Sequence, residues 1–371
     1  MVNKQRLIGE FLELIKIDSL SCKEGTIAKV LVNKLEQLDF EVYIDDAGVT
    51  AGGETGNIIA TLKGTRPGTP ILFSAHMDTV NPGQGIKPII DEANGIIKSD
   101  GTTVLGSDDK GGIAAILEAV KIVKENNIDH GDIQIVFSIW EEGGLFGAKY
   151  LDYSKINADF AFVLDGGGAP GKIIVKAPAQ DSIEIKIKGK PAHAGVCPEE
   201  GISAVMVAAR AIEKMKLLRI DEETTANIGI IKGGIATNIV MPELEIHAEA
   251  RSLDNTKLDA QTKHMVDMFK QAAADFDTEV EIKIQRMYSA FNVDENDEIV
   301  TLLKKVFTRM EIEPSIISTG GGSDTNILNA NGIKAVNLSV GMEKAHTLEE
   351  FIPIEDLINS AKMVVEIIKE A

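Results

Sequence analysis

The chain has 371 residues, of which 44% are hydrophobic, so it is long enough to form about two domains with sizeable cores. Its 57 acidic residues outnumber its 38 basic residues, giving a formal net charge of −19. Nucleic acids and anionic membranes select basic surfaces, so this charge argues against both as partners.

The N-terminal segment and the cysteines bear on the compartment. Acidic residues interrupt the apolar part of the first 19 residues, which predicts an amphipathic helix and not a signal peptide. No apolar run approaches the roughly 18 residues that a membrane span needs. Cys22 and Cys197 fit neither a disulfide framework nor a zinc-knuckle spacing. We therefore expect a cytoplasmic protein.

Helices come first in the predicted order of elements. Apolar residues at helical spacing predict one helix over 7–15 and a second over 27–38. A strand over 40–44, a glycine-rich turn at 48–56 and a strand over 57–62 are predicted to follow.

The next part of the chain alternates strands with helices. Nearly continuous apolar runs at 71–75, 132–140 and 160–164 predict buried strands of one sheet. Between the first two we expect a long loop or small hairpin at 82–100 and a helix that begins at Ile113. This alternation predicts an α/β sheet with ligands beyond the ends of its strands.

The pattern changes near Asp181, where apolar and polar residues alternate as in a half-buried strand. The predicted elements over 180–286 run β-α-β-β-α-β, which is the ferredoxin-like order. We interpret this segment as a domain inserted into a first domain composed of 1–179 and 287–371. A last buried strand is predicted over 335–340, before a C-terminal amphipathic helix.

Two adjacent aspartates, Asp108 and Asp109, lie in a glycine-bounded turn just before the helix that begins at Ile113. Anions are favoured at helix N-termini, and Asp is a common N-cap, so capping explains the pair equally well when it is taken alone. What favours chemistry is that four other segments bearing acids or histidines also follow predicted strands.

His76 and Asp78 end the first of the buried strands. Side chains two residues apart on a strand share a face, and a metal-binding histidine usually donates its second ring N–H to a carboxylate. This spacing is typical of a ligand with its orienting acid. The alternative is a turn with a His-Asp hydrogen bond and no metal.

Glu141 and Glu142 follow another apolar strand. Adjacent carboxylates at such a position repel each other and lose solvation, so a cation should lie beside them. One can then bind a metal while the other moves a proton. The alternative is a solvated acidic turn.

Asp165 precedes three glycines, and His346 follows a fourth apolar strand. Each alone is compatible with an ordinary turn or surface loop. Together with Asp108, His76 and Glu142 they form a mixed set of imidazoles and carboxylates that suits Zn²⁺, and two ions sharing one carboxylate is a pattern of hydrolytic sites.

Taken jointly, segments spread over the whole chain resemble the co-catalytic zinc metallopeptidases, a family that includes peptidase T, carboxypeptidase G, the aminoacylases and succinyl-diaminopimelate desuccinylase. The segments occur in the family's order and read SAHMDTV, GSDDKGGIAAILEA, WEEGGLFGAKYL, FVLDGGG, GKPAHAG, TGGGSDTN and AHTLEEF. The resemblance is strongest to the peptidase T-like branch.

This resemblance implies two Zn²⁺ ions per subunit, with Co²⁺ or Mn²⁺ as possible substitutes. It assigns His76 and Asp165 to one ion, assigns Glu142 and His346 to the other, and makes Asp108 the bridge between them. The peptide bond that follows Asp108 is typically cis in the family.

The resemblance also implies catalytic roles. Asp78 would orient His76, and Glu141 would be the general base that takes a proton from the bridging water. His193, in a small-residue loop of the inserted domain, would reach into the partner subunit's active site and polarise the scissile carbonyl. Substrate contacts would come from Arg251, Asn238 and the loop around Gly321.

The implied fold is a zinc-exopeptidase-like catalytic domain, with helices on both faces of a mixed sheet, plus an inserted ferredoxin-like α+β lid and dimerisation domain. The implied function is hydrolysis of short peptides by a homodimeric, tripeptidase-like aminopeptidase. An N-acyl amino acid deacylase or a metallocarboxypeptidase on the same scaffold is the alternative, and a non-catalytic metal-bound binding protein is a more remote one. Where tripeptidase T has His-Pro-Gly, this chain has His193-Ala194-Gly195, so the match is looser on the substrate side.

Overall fold

The structure is a computed structural model that describes every residue from Met1 to Ala371. Its ten α-helices are α1 (Lys4–Ile15), α2 (Gly25–Gln37), α3 (Ala47–Ala51), α4 (Ser107–Glu125), α5 (Phe146–Lys149), α6 (Ala204–Glu213), α7 (Asn255–Asp275), α8 (Glu298–Arg309), α9 (Asp324–Ala330) and α10 (Ile354–Glu370). None of them is both long enough and apolar enough to cross a membrane.

The strands are β1 (Glu41–Ile44), β2 (Ile58–Leu62), β3 (Ile71–His76), β4 (Pro88–Asp91), β5 (Ile96–Ser99), β6 (Ile133–Ser138), β7 (Phe160–Gly167), β8 (Lys172–Ala177), β9 (Ala179–Lys188), β10 (Leu218–Arg219), β11 (Thr224–Gly233), β12 (Glu243–Ser252), β13 (Val280–Tyr288), β14 (Phe291–Asn292), β15 (Ser315–Ser318), β16 (Lys334–Met342) and β17 (Phe351–Pro353).

The chain divides into two units, both of them discontinuous in sequence. The first consists of Met1–Val175, Asn292–Ser318 and Ser323–Ala371, and the second of Lys176–Phe291 with Thr319–Gly322. The chain therefore leaves the first unit once for a long excursion and once more for a four-residue loop.

The first unit is built on a mixed sheet with the strand order β1-β2-β6-β3-β7-β16-β8-β14, in which β15 also pairs with β8. Its centre is parallel, because β3 pairs in parallel with both β6 and β7, and β7 pairs in parallel with β16. All residues of β3 and of β6 are buried, as expected of strands covered on both faces.

Helices supply that cover. Leu72 and Val136 pack in one cluster with Leu328 of α9. The rings of Phe73 and Phe162 lie 5.7 Å apart, and they occupy the opposite face, since side chains alternate along a strand. Helix α4 packs against β3 and β7, and α10 packs against α4. The expected α/β architecture with a mixed sheet is confirmed.

The second unit has an antiparallel sheet with the order β10-β11-β12-β9-β13. Its elements follow the β-α-β-β-α-β sequence with one short extra strand, β10. Ile183, Ile185 and Ile187 of β9 are buried in one core with Val207 of α6 and Phe269 of α7. Both helices therefore pack on the same face of this sheet.

Some segments of the first unit differ from the sequence-based expectation, among them the following. The prediction of a glycine-rich turn at 48–56 is wrong in its first part. There α3 forms a single helical turn, which is capped by Gly52 with φ +68°. Strand β15 was not predicted, because its sequence SIIS places two apolar residues side by side and shows no alternation. The segment 82–100 does contain a hairpin, β4-β5.

Candidate metal centre

Five side chains converge where the central strands of the first unit end. His76 is the last residue of β3, Asp165 lies near the end of β7, and Glu142 and His346 follow β6 and β16. These strands are parallel neighbours, so their carboxyl ends share one edge of the sheet. Asp108 reaches the same edge from the start of α4.

Asp108 lies between the two imidazoles. Its Oδ1 is 2.9 Å from Nε2 of His76, and its Oδ2 is 3.1 Å from Nε2 of His346. On the first side, Oδ1 of Asp165 is 3.9 Å from Nε2 of His76. On the second side, Oε1 of Glu142 is 2.9 Å from Nε2 of His346. The two oxygens of one carboxylate thus face two separate His-and-acid pairs.

The His76 ring is held from behind. Its Nδ1 lies 3.0 Å from the carbonyl oxygen of Asp78 and 3.4 Å from Oδ1 of the same residue. Because both partners are acceptors, Nδ1 donates a hydrogen to Asp78, and the ring is oriented so that Nε2 faces the cluster. This is the support that metal-binding histidines usually have.

Asp78 also organises the segment that carries the two glutamates. Its Oδ1 accepts a hydrogen bond from the amide of Glu141 at 2.9 Å, and its Oδ2 accepts one from the amide of Glu142 at 3.3 Å. The hydroxyl of Ser21 donates to Oδ2 at 2.6 Å. One buried carboxylate therefore joins the end of β3 to the turn after β6.

The electrostatics of the cluster favour a cation. Burial, reinforced by the charge of neighbouring carboxylates, raises the pKa of Asp165 and of Glu141 well above the usual range, and burial raises the pKa of Glu142. Burial alone would lower the pKa of His76, but hydrogen bonds and charges from Asp108 and Asp78 outweigh it and hold that pKa well above its usual value. The acids outnumber the imidazoles, and a bound cation would relieve the repulsion.

The donor set fits a divalent metal. One candidate group of ligands is His76, Asp108 and Glu142, and a second is His76, Asp109 and Asp165; within each group the ligand atoms lie within 4.8 Å of one another. Mixed imidazole and carboxylate donors suit Zn²⁺ and related ions. Both groups include His76 and lie at the same edge of the sheet, and together they offer enough ligands for more than one ion.

The remaining residues singled out by the sequence belong to the second unit. The amide of Ala194, next to His193, donates to the carbonyl oxygen of Asn238 at 2.9 Å, so the His193 loop packs on the Asn238 segment. Arg251 donates to the carbonyl oxygen of Gly320 at 3.4 Å, beside Gly321. The four residues therefore form two local groups, His193 with Asn238 and Arg251 with Gly321.

The sequence predicted no metal-binding or catalytic role for two buried acids at this edge, Asp109 and Asp324. Asp109 is joined to Asp108 by a cis peptide bond. Its carboxylate accepts hydrogen bonds from the amide of His76 at 3.2 Å and from the amide of Gly112 at 3.3 Å. Asp324 accepts one from the hydroxyl of Ser138 at 2.6 Å, and burial raises the pKa of Asp324 to about 6. Both acids lie in segments that carry the family resemblance, GSDDKGG and TGGGSDTN, and this position could have indicated a role for them.

Comparison with known proteins identifies the wider relationship. The model of the family described as peptidase family M20/M25/M40 matches residues 72–370. The uncharacterized protein YqjE of Bacillus subtilis is 49% identical over 371 residues, which is 100% of both chains.

Two solved structures cover the chain almost completely. The aminopeptidase PepT of Bacillus cereus is 46% identical, with a TM-score of 0.93 over 100% of this chain and 99% of that one. A tripeptidase of Staphylococcus aureus is 42% identical, with a TM-score of 0.97 over 100% of this chain and 98% of that one.

Proposed function

This chain belongs to peptidase family M20/M25/M40 and is a metallopeptidase, and from that premise we propose that it is a di-zinc, tripeptidase-like aminopeptidase acting on short peptides. The observation that carries the proposal is the position of Asp108 between His76 and His346, with one carboxylate oxygen facing each. The preference for short peptides is supported by the tripeptidase of Staphylococcus aureus, 42% identical over the whole chain.

We assign the metal ligands as follows. His76 and Asp165 would hold one zinc ion, Glu142 and His346 the other, and Asp108 would contribute an oxygen to each. Bound Zn²⁺ lowers the pKa of water and polarises a carbonyl group. Asp78 orients the ring of His76 by accepting the hydrogen on Nδ1, so that Nε2 faces this centre.

Glu141 is the proposed general base. Its carboxylate takes a proton from the attacking water, whose oxygen forms a bond to the carbonyl carbon of the peptide. Glu141 then passes that proton to the leaving nitrogen as the C–N bond breaks. Its amide is held by Asp78 at 2.9 Å, so the same acid positions both the base and His76.

His193 is the proposed donor to the carbonyl oxygen of the substrate, on which negative charge develops during attack. Arg251, Asn238 and Gly321 are assigned to substrate binding. Their grouping in the second unit, His193 with Asn238 and Arg251 with Gly321, supports this assignment.

We propose that the protein is a homodimer and that the second unit forms its interface. Strand β10 pairs only with Thr225 and Ala226, which leaves the rest of β11 as an edge with unpaired backbone groups. Large apolar side chains are exposed on this unit at Val205, Met206, Ile230, Ile231 and Ile235. An edge strand beside exposed apolar residues is the surface that a second copy would cover.

A cytoplasmic location is proposed on the basis of the cysteines. Cys22 and Cys197 are both free, which suits a reducing compartment.

The experiment that tests the proposal uses unblocked peptides of two to five residues with one shared sequence, incubated with the zinc-loaded protein. We expect the tripeptide to be cleaved fastest and mass spectrometry to identify the free N-terminal residue and a dipeptide as the products. Release of the C-terminal residue would contradict the aminopeptidase assignment, and equal rates at all lengths would contradict the tripeptidase preference.

A further inference from the structure

Glu350 is buried, with 1% of its surface exposed, directly after the loop that carries His346. Its carboxylate accepts five hydrogen bonds from the segment that leads into α4. The donors are the amides of Leu105 at 2.7 Å, Gly106 at 3.0 Å, Ser107 at 2.7 Å and Asp108 at 3.2 Å, and the hydroxyl of Ser107 at 2.6 Å.

These bonds suit a carboxylate better than any neutral side chain. Four successive backbone N–H groups at the kinked entry to α4 converge on this one carboxylate, and buried N–H groups that lose their acceptor are costly. Hydrogen bonds to an ionised acceptor are also about twice as strong as neutral ones. Glu350 therefore fixes the backbone of the turn that presents Asp108.

The same side chain restrains the other side of the metal centre. His346 is about half exposed, and it lies in a loop where both Lys344 and His346 adopt left-handed φ values of +54° and +64°. Only three residues separate His346 from the buried anchor at Glu350. The position of this imidazole relative to Asp108 thus depends on how Glu350 is attached to the turn.

We propose that Glu350 is a positioning residue of the metal centre, which holds Asp108 and His346 at the spacing that binds the ion between them. This inference rests on the proposed function, because it takes Asp108 and His346 as ligands. A purely structural carboxylate would contribute to folding stability and leave the affinity of the folded protein for metal unchanged.

The test is the variant Glu350→Gln, which keeps the side-chain size but turns an acceptor into an NH₂ group facing N–H donors. We expect the apparent Kd for Zn²⁺, measured by competition with a chromophoric chelator, to rise about 10–100-fold. The visible absorption of the Co²⁺-loaded protein should also change, because the ligand geometry around the ion differs. Thermal unfolding of the metal-free protein measures the structural contribution separately.

Glu349→Gln is the matched control. Glu349 is the preceding residue, is exposed, and has its carboxylate paired only with Lys344. We expect this variant to bind Zn²⁺ as the unmodified protein does. A loss of affinity equal to that of Glu350→Gln would show that charge near the site is responsible and would overturn the positioning role.

Ser107→Ala provides a second variant if Glu350→Gln fails to fold, since it removes a single hydrogen bond to the same carboxylate. We expect it to weaken Zn²⁺ binding in the same direction and by a smaller factor than Glu350→Gln does. If the folded variants bind Zn²⁺ and give the Co²⁺ spectrum of the unmodified protein, the proposal is wrong. These experiments measure metal binding and not catalysis. If Glu350→Gln binds Zn²⁺ more weakly than the unmodified protein but no peptide is cleaved, the proposed function is wrong and the role of Glu350 stands.

Discussion

Glu141 and Glu142 are adjacent, yet their surroundings differ. Asp78 holds the amides of both residues, but the carboxylate of Glu142 lies 2.9 Å from Nε2 of His346, whereas Glu141 is buried. The first position suits a ligand and the second suits a base beside it. In the proposed mechanism, two neighbouring glutamates therefore divide metal binding and proton transfer between them.

This difference predicts that two matched variants affect different quantities, one the kcat and the other the affinity for Zn²⁺. Glu141→Gln should lower kcat about 10²–10⁴-fold, the usual contribution of a general base, while leaving the Kd for Zn²⁺ nearly unchanged. Glu142→Gln should weaken Zn²⁺ binding itself. Steady-state kinetics and chelator competition on both variants check this, and retained activity in Glu141→Gln would end its assignment as the base.

Glu24 is a buried acid that should affect how the stability of the protein depends on pH. Its Oε1 accepts hydrogen bonds from the amides of Cys22 and Trp140, both at 3.0 Å, and its Oε2 has no partner. Burial, and then the charge of Asp78, raise the pKa of Glu24 from 4.5 to about 7. The folded protein therefore keeps this proton over a pH range in which the unfolded chain has released it.

The sign of the effect follows from proton linkage. Between pH 4.5 and about 7 the unfolded state binds fewer protons at Glu24, so its contribution to stability falls as the pH rises. Glu24→Gln should remove this dependence, so the variant should gain stability relative to the unmodified protein by up to about 3 kcal/mol across that range.

Urea denaturation of both metal-free proteins at several pH values measures this difference. Glu36→Gln, an exposed position on the same helix α2, is the control and should leave the pH profile unchanged. A constant difference between Glu24→Gln and the unmodified protein at all pH values would show that Glu24 titrates normally.

At the scale of elements, helix α4 has two adjacent glycines with different surroundings. A Cβ at Gly112 would lie 2.5 Å from Oδ1 of Asp109 and 2.5 Å from the carbonyl oxygen of Leu164 in β7. At Gly111 it would meet only a methyl group of Ile352 at 3.3 Å. The close approach of α4 to β7, which brings Asp108 to the sheet edge, thus depends on Gly112.

Gly112→Ala should therefore destabilise the protein by roughly 1–3 kcal/mol, as overpacked sites do. It should also weaken Zn²⁺ binding, because a displaced Asp109 shifts the adjacent ligand Asp108. Gly111→Ala should be tolerated, because Ala is favoured over Gly in a helix and the Ile352 methyl group can shift. Denaturation midpoints and Zn²⁺ affinities of the two variants compare them directly. Equal effects at both positions would contradict the packing argument.

The elements also show what could be predicted from the sequence. The buried strands at 71–75 and 160–164 were predictable, because their apolar runs are continuous, and the acids and histidines after such strands marked one edge of a sheet. Glu350 was not, although its segment was recognised. Its role depends on hydrogen bonds to backbone amides more than 240 residues away in the chain, and no periodicity reports such a contact.

At the scale of the whole molecule, the proposed dimer makes the active site a shared one. Hybrid dimers that combine a Glu141→Gln subunit with a His193→Ala subunit test this, because one of their two sites would regain both an intact Glu141 and an intact His193. We expect mixed, refolded samples to recover activity that neither parent variant has. If the hybrids are as inactive as the parents, His193 does not act across the subunit boundary.

We conclude that the protein is a metallopeptidase that removes the N-terminal residue of short peptides. The most direct measurement is hydrolysis of one tripeptide by the zinc-loaded protein in three forms: free, N-acetylated and C-amidated. We predict cleavage of the free form and loss of cleavage on N-acetylation, because an aminopeptidase recognises the α-amine. Cleavage of the acetylated form, or loss only on C-amidation, would contradict the claim and identify a deacylase or a carboxypeptidase with the same metal centre.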